Sequence, residues 1–171
     1  HHRVHGTELL MDAFERIRDA VHPVVNGLTV EELSFRPDQE SNSIAWLVWH
    51  LTRIQDDHVA ALRGAPQAWM VGGWAERYAL ALDTADTGYG HDAAAVGSVT
   101  ADATSLLGYF EEVHTGTVGY LRTLDGTDLD RVVDRSWDPP VTAGVRLVSV
   151  IADDLQHVGQ AAYVRGILQR R

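Results

Sequence analysis

Four long stretches of the chain place apolar residues every three or four positions, the spacing of an amphipathic helix with one face turned to a core. Over residues 7–26 the stripe is Leu10, Met11, Phe14, Ile17, Val21 and Val24, with Val25 beside it and Gly27 as the stop. A turn of helix is predicted over 30–33, and Pro37 breaks it because proline has no N–H to continue the ladder. Ser41, Asn42 and Ser43 then offer side-chain oxygens to the free N–H groups of a second helix, 43–63. That helix carries Trp46, His50, Ile54 and Asp57 on one face, with Leu47, Leu51 and His58 close beside them, and Gly64-Ala65-Pro66 ends it. A third begins near 100–103 and runs to 124, with Leu107, Phe110, His114, Val118 and Leu121 along its inner side. The fourth, 141–169, turns Leu147, Val150, Ile151, Leu155, Val158, Ala161, Val164 and Leu168 inward.

Residues 66–99 connect the second and third helices and read as a loop with one short helix over 75–82. A connection longer than about a dozen residues in a compact domain is often a cover or a binding loop. Trp69, Trp74, Tyr78 and Tyr89 suit a partly apolar pocket wall or, more plainly, anchors that hold the loop to the bundle. A second connection, 128–140, holds a brief helical turn and the rigid corner Trp137-Asp138-Pro139-Pro140. Strand patterns are nearly absent. The predicted fold is therefore all-α, an antiparallel four-helix bundle with a long connection between helices two and three, in a single domain over 1–171.

Composition removes several function classes. The 14 basic residues, all Arg, are outweighed by 24 acidic ones, and a net charge of -10 repels nucleic acid and anionic membranes. No run approaches the roughly 18 apolar residues of a membrane span, and no secretory leader pattern is present, so the cytoplasm is the expected compartment. With no Cys, disulfides and thiolate ligands are excluded, and any reacting thiol must come from a cosubstrate. No Ser sits in a nucleophile elbow, and Gly72-Gly73 lacks the strand and helix of a phosphate-cradling loop. His1 and His2 read as the remnant of an expression tag and stand outside the site arguments.

The candidate chemistry sits in Asp153-Asp154-Leu155-Gln156-His157. On a helix, Asp153 lies about 40° around the axis from His157 and Asp154 about 60° on the other side, so spacing favours Asp153 narrowly. Alone, such a pair is more often a solvated acid beside an imidazole. His50, however, interrupts an apolar helix, and an imidazole there needs a partner: another side chain, a water or a metal. If helices two and four pack side by side, His50, Asp153 and His157 converge on one divalent cation and leave coordination positions open, as sites that perform chemistry do. Trp46, Asp57, His114 and Gln160 are the candidate pocket residues around it. Asp57 could orient a ligand or be a solvated acid; His114 could be a fourth ligand, a substrate contact or a satisfied core histidine; Gln160 could offer its amide or pack between helices. His5, His22, His58 and His91 have no constellation and are expected at the surface or at caps.

Ser43-Ile44-Ala45-Trp46-Leu47-Val48-Trp49-His50-Leu51, followed by His157-Val158-Gly159-Gln160-Ala161-Ala162-Tyr163-Val164-Arg165-Gly166, resembles the DinB-like superfamily. The likeness is strongest to its actinobacterial branch related to mycothiol-dependent maleylpyruvate isomerase, and it spans essentially the whole bundle. It implies a crossover connection and a divalent metal held by one His of helix two and two ligands four apart on helix four. Here His50 and His157 match the outer ligands, and Asp153 stands where many members carry His and the isomerase-like branch carries Glu. Zinc is the expected ion, with Ni, Mn or Fe(II) also compatible with a mixed nitrogen and oxygen set. The resemblance further implies a mycothiol-like thiol as cosubstrate and a small electrophile as its partner. Two functions are then open: a metal-dependent thiol transferase or isomerase, and a non-catalytic metal- or ligand-binding stress-associated bundle. A homodimer formed through exposed helix faces is a further expectation.

Overall fold

The computed structural model describes residues 3–171; His1 and His2, read above as a tag remnant, lie outside the described residues. Its long helices are α1 (Gly6–Val25), α3 (Ile44–Arg63), α7 (Ala103–Arg122) and α8 (Ala143–Gln169), joined through short helices α2 (Val30–Leu33), α4 (Ala68–Val71), α5 (Trp74–Tyr78) and α6 (Ala93–Gly97). Local chemistry sets the ends. Ser43, Asp102 and Thr142 accept hydrogen bonds from the N–H groups of Trp46, Ser105 and Val145 at the starts of α3, α7 and α8. Thr29 and Glu32 cap α2 reciprocally. Gly64 at φ 66 lets the chain leave α3.

Three boundaries differ from the sequence reading. The fourth helix begins at Ala143, two residues later than expected, because Val141–Thr142 (β2) instead pairs antiparallel with Val132–Asp134 (β1) of the preceding connection, a small ladder rich in β-branched residues. The helix predicted over 75–82 ends at Tyr78, where Ala79 adopts φ 50. The turns α4 and α6 were not expected.

Both α1 and α3 pack against α7 and α8, giving a bundle with α1 and α3 on one diagonal. Arg18 reaches Glu111 and Glu15 approaches His114, so α1 and α7 are antiparallel. By contrast, Tyr109 donates to Asp56 and Arg63 to the Gly116 carbonyl, so α3 and α7 run the same way. Parallel neighbours need a crossover, and residues 66–99 supply it. Phe14, Ile17 and Val21 of α1, Leu47 and Leu51 of α3, Phe110 of α7 and Leu147 and Val150 of α8 fill the core. Among the described residues no helix is long and apolar enough to cross a membrane.

The inner stripe of α8 corrects one expectation. Leu147, Val150, Asp154, Val158, Ala161 and Val164 are buried, whereas Leu155 is 46% exposed and Ile151 and Leu168 are half-buried. Asp154 takes the core position because α8 is apolar on both sides, so periodicity alone does not choose which side faces inward. Neither of its side-chain oxygens has a hydrogen-bond partner. Burial pushes its carboxyl well above the ordinary 3.8, with Asp153 adding to the shift. Asp154→Leu is expected to stabilise the fold by about 1–3 kcal/mol, the usual cost of an unsatisfied buried polar group, read as a higher urea midpoint at unchanged slope.

Arg18 and His22 of α1 both contact Glu111, at 2.8 and 2.5 Å. Burial raises the Glu111 carboxyl, but the bonds from Arg18 and His22 outweigh it, and the net shift is below the ordinary 4.5. A depressed carboxyl adds stability that is present above the unfolded value and is lost as pH falls through the folded one. Wild type should therefore lose stability below about pH 4.5 more steeply than Glu111→Gln, by less than about 1 kcal/mol because the groups are partly solvated.

Candidate metal centre

Packing of α3 on α8 brings one ligand atom each from His50, Asp153 and His157 within 4.8 Å of one another. The two imidazoles meet edge to face, with centroids 4.6 Å apart and planes at 69°. His50 is buried, while the side chains of His157 and Asp153 keep 16% and 33% exposure, so the cluster has a side open to solvent.

Hydrogen bonds settle which nitrogens are free. His50 Nδ1 lies 2.6 Å from the Thr87 carbonyl and His157 Nδ1 2.7 Å from the Asp153 carbonyl. A carbonyl oxygen can only accept, so both Nδ1 atoms carry hydrogen, and in the neutral ring Nε2 is the nitrogen left with a lone pair. Asp153 Oδ2 is buried without a hydrogen-bond partner, since His157 Nδ1, at 3.4 Å, is committed to the main chain. Two oriented imidazole nitrogens and an orphaned carboxylate oxygen are a donor set that a divalent cation fits, with the second nitrogen of each ring held as in known histidine metal sites.

Electrostatics hold His50 and Asp153 in their ligating forms. Burial lowers the His50 pKa, against the raising effect of its Thr87 bond, and keeps the ring neutral. Contact with Asp153 raises His157 and favours its protonated form, so a cation bound there would displace a proton. Burial would raise Asp153, but His157 and the imidazoles of His50 and His58 outweigh it, and its carboxyl stays ionised. A neutral ring and an ionised carboxyl are the forms that bind metal.

Trp46, a predicted pocket residue, lies flat on His50 with centroids 4.6 Å apart and planes at 12°. Its indole N–H donates to His91 Nδ1 at 3.1 Å, and His91 Nε2 donates to Asp86 at 2.8 Å. His91 therefore corrects the surface reading: its side chain is enclosed, stacked on Trp49, and supports the centre from 41 residues away in sequence. The only sequence signal for it was that a buried indole N–H needs an acceptor. His58 also leaves the surface class, half-buried with Nδ1 3.3 Å from an Arg146 nitrogen. His22 and His5 stay at the periphery, paired with Glu111 and preceding α1 respectively.

Gly88 makes the close approach of this loop feasible. It sits at φ 94, and an added Cβ would meet His50 Nδ1 at 2.8 Å and Trp49 at 3.0 Å. Gly88→Ala should displace the Thr87 carbonyl from His50 and weaken metal binding about 10–100-fold, the range for loss of a supporting contact, as measured by competition with a chromogenic chelator.

The remaining pocket candidates do not join the triad. Asp57 accepts from Gln67 at 3.0 Å, because seven residues carry it about 10 Å along the axis from His50. His114 is a core histidine, facing Glu15 of α1 at 3.4 Å and stacked on Phe110. Gln160 is exposed one turn beyond His157, on a groove shared with Leu47 and Tyr163. Of the connection aromatics, Trp69, Tyr78 and Trp74 pack on Tyr109 as anchors, and Tyr89 is solvent-exposed rather than part of a pocket wall.

The sequence profile of the DinB superfamily matches residues 13–161. A crystal structure of a conserved protein from Enterococcus faecalis is similar over 99% of this chain and 100% of its own, with 31% identity and a TM-score of 0.90. No curated protein matches the chain. With a profile that spans the bundle and a relative that follows it end to end, the chain belongs to the DinB superfamily.

Proposed function

We propose that the chain is a divalent-metal-dependent enzyme, with zinc as its ion, that activates a mycothiol-like low-molecular-weight thiol in the cytoplasm. The thiol would be transferred to an electrophilic small molecule or used to isomerise it. The observation that carries this reading is the convergence of His50, Asp153 and His157 with one side left open. A cation held there would lower the pKa of an incoming thiol and supply a thiolate at neutral pH. With Nδ1 of His50 and of His157 held by carbonyls, Nε2 of each ring is the nitrogen left for a cation, Asp153 offers a carboxylate oxygen, and Trp46 lies flat against His50. The chain has no Cys of its own, which leaves the role of nucleophile to a cosubstrate.

The test is to incubate zinc-loaded protein with mycothiol and a panel of electrophiles, following thiol consumption and product mass. Turnover that disappears in His50→Ala supports the enzyme. A competing reading, a non-catalytic binding bundle in which the ion ties helices together, draws on the division of ligands between α3 and α8. No turnover across the panel at full metal loading, together with unfolding on chelation, would select that second reading.

A further inference from the structure

The outer faces of the long helices differ in charge. The exposed side of α1 carries Glu8, Asp12, Arg16 and Asp19, as a solvated surface does. On α8, every exposed residue between positions 147 and 164 is uncharged, on a chain of net charge -10. Within that face Val145, Val148, Ala152, Leu155, Gly159 and Ala162 are all exposed and recur at intervals of three and four, the seam spacing of a helix that packs on another helix. Val145, Val148 and Leu155 show 57%, 56% and 46% of their surface, and Tyr163 at the flank shows 70%. This seam lies on the side away from the buried stripe through Val150 and Asp154, so among the described residues nothing covers it.

We propose that this face binds a second copy of the chain, α8 against α8, antiparallel about a twofold axis between residues 153 and 154. The seam itself selects that occupant. Its intervals read the same in either direction, so reversal pairs Val145 with Ala162, Val148 with Gly159, and Ala152 with Leu155. Each layer then sets a larger side chain against a smaller one, the interdigitation a packed interface needs, and the contacts are reciprocal as twofold symmetry requires. Charge agrees: two copies at net -10 repel each other less where they meet on uncharged residues, and the exposed α8 seam is uncharged, with Asp38 and Glu40 set to one side of it along the groove beside Gly159. Area agrees as well. Positions 145–163 span about 27 Å of helix, and a lane about 20–25 Å wide including flanking side chains amounts to roughly 500–700 Å² per protomer, near the lower bound for a specific pair.

Gly159 provides a clean test, because an added Cβ there meets nothing within 4 Å in the protomer, whereas in the pair that space holds Val148 of the other copy. Light scattering coupled to size exclusion, at tens of micromolar protein, should give twice the 18.8-kDa chain mass for wild type. Gly159→Glu and Leu155→Glu should each run at the single-chain mass with unchanged helical circular dichroism. Arg16→Glu, on the charged face of α1, should remain double. A wild type of single-chain mass overturns the proposal. So does a folded Gly159→Glu or Leu155→Glu that keeps the doubled mass.

Discussion

Replacing His157 with alanine is expected to strip the metal and leave the bundle folded. His157 supplies one of three ligand atoms within 4.8 Å, and two remaining ligands on separate helices hold a divalent ion far less well than three. Changes to residues that merely orient a ligand cost about 10–100-fold in affinity, so loss of the ligand itself should cost at least about 100-fold. The fold should survive because the His157 side chain is partly exposed and the α8 core contacts come from Val150, Val158 and Ala161. Elemental analysis of protein exchanged into metal-free buffer should find about one equivalent in wild type and close to none in the variant, with matching circular dichroism. A variant that retains the full equivalent would place the ion elsewhere and remove the basis of the proposed chemistry.

The second large effect concerns Asp56, next to Asp57, one of the candidate pocket residues. Its buried carboxylate accepts the N–H groups of Ala68 and Trp69 at 2.9 and 2.8 Å and the Tyr109 hydroxyl at 2.7 Å. It thereby caps the start of α4 and pins the crossover to the junction of α3 and α7. Arg53, fully buried, approaches the same carboxylate at 4.0 Å and also reaches Gln67 and the Asp86 carbonyl. Asp56→Ala would leave two main-chain donors, a hydroxyl and a buried guanidinium short of partners. The expected loss is about 3–5 kcal/mol, measured from the urea midpoint. Because Arg53 also holds the segment around Asp86 and Thr87, the folded variant should bind metal more weakly than wild type.

The four long helices follow from the chain itself. Their stripes recur at helical spacing, and Ser43, Gly64 and Asp102 terminate them through bonds made within a few residues. The pairing of Asp153 with His157 was also readable, because residues four apart on a helix share a face whatever the rest of the chain does. Their meeting with His50 was conditional on α3 and α8 being neighbours. Asp57 failed the same kind of argument: its angular position suits the site, but its distance along the axis does not.

What the linear order of residues determined, then, is the set of helices, their caps, and the pairing of Asp153 with His157 on one turn of α8. Tertiary packing decided which side of α8 faces inward, burying Asp154 and exposing Leu155, because both sides are apolar and only competition among four helices for one core separates them. It also decided that His91, Asp86 and Thr87 support His50, because the crossover folds back over α3. Helical periodicity carries information over one or two turns, whereas those contacts join groups that no local rule relates; burying Trp46 and His50 leaves an indole N–H and an imidazole N–H that are satisfied from another part of the fold.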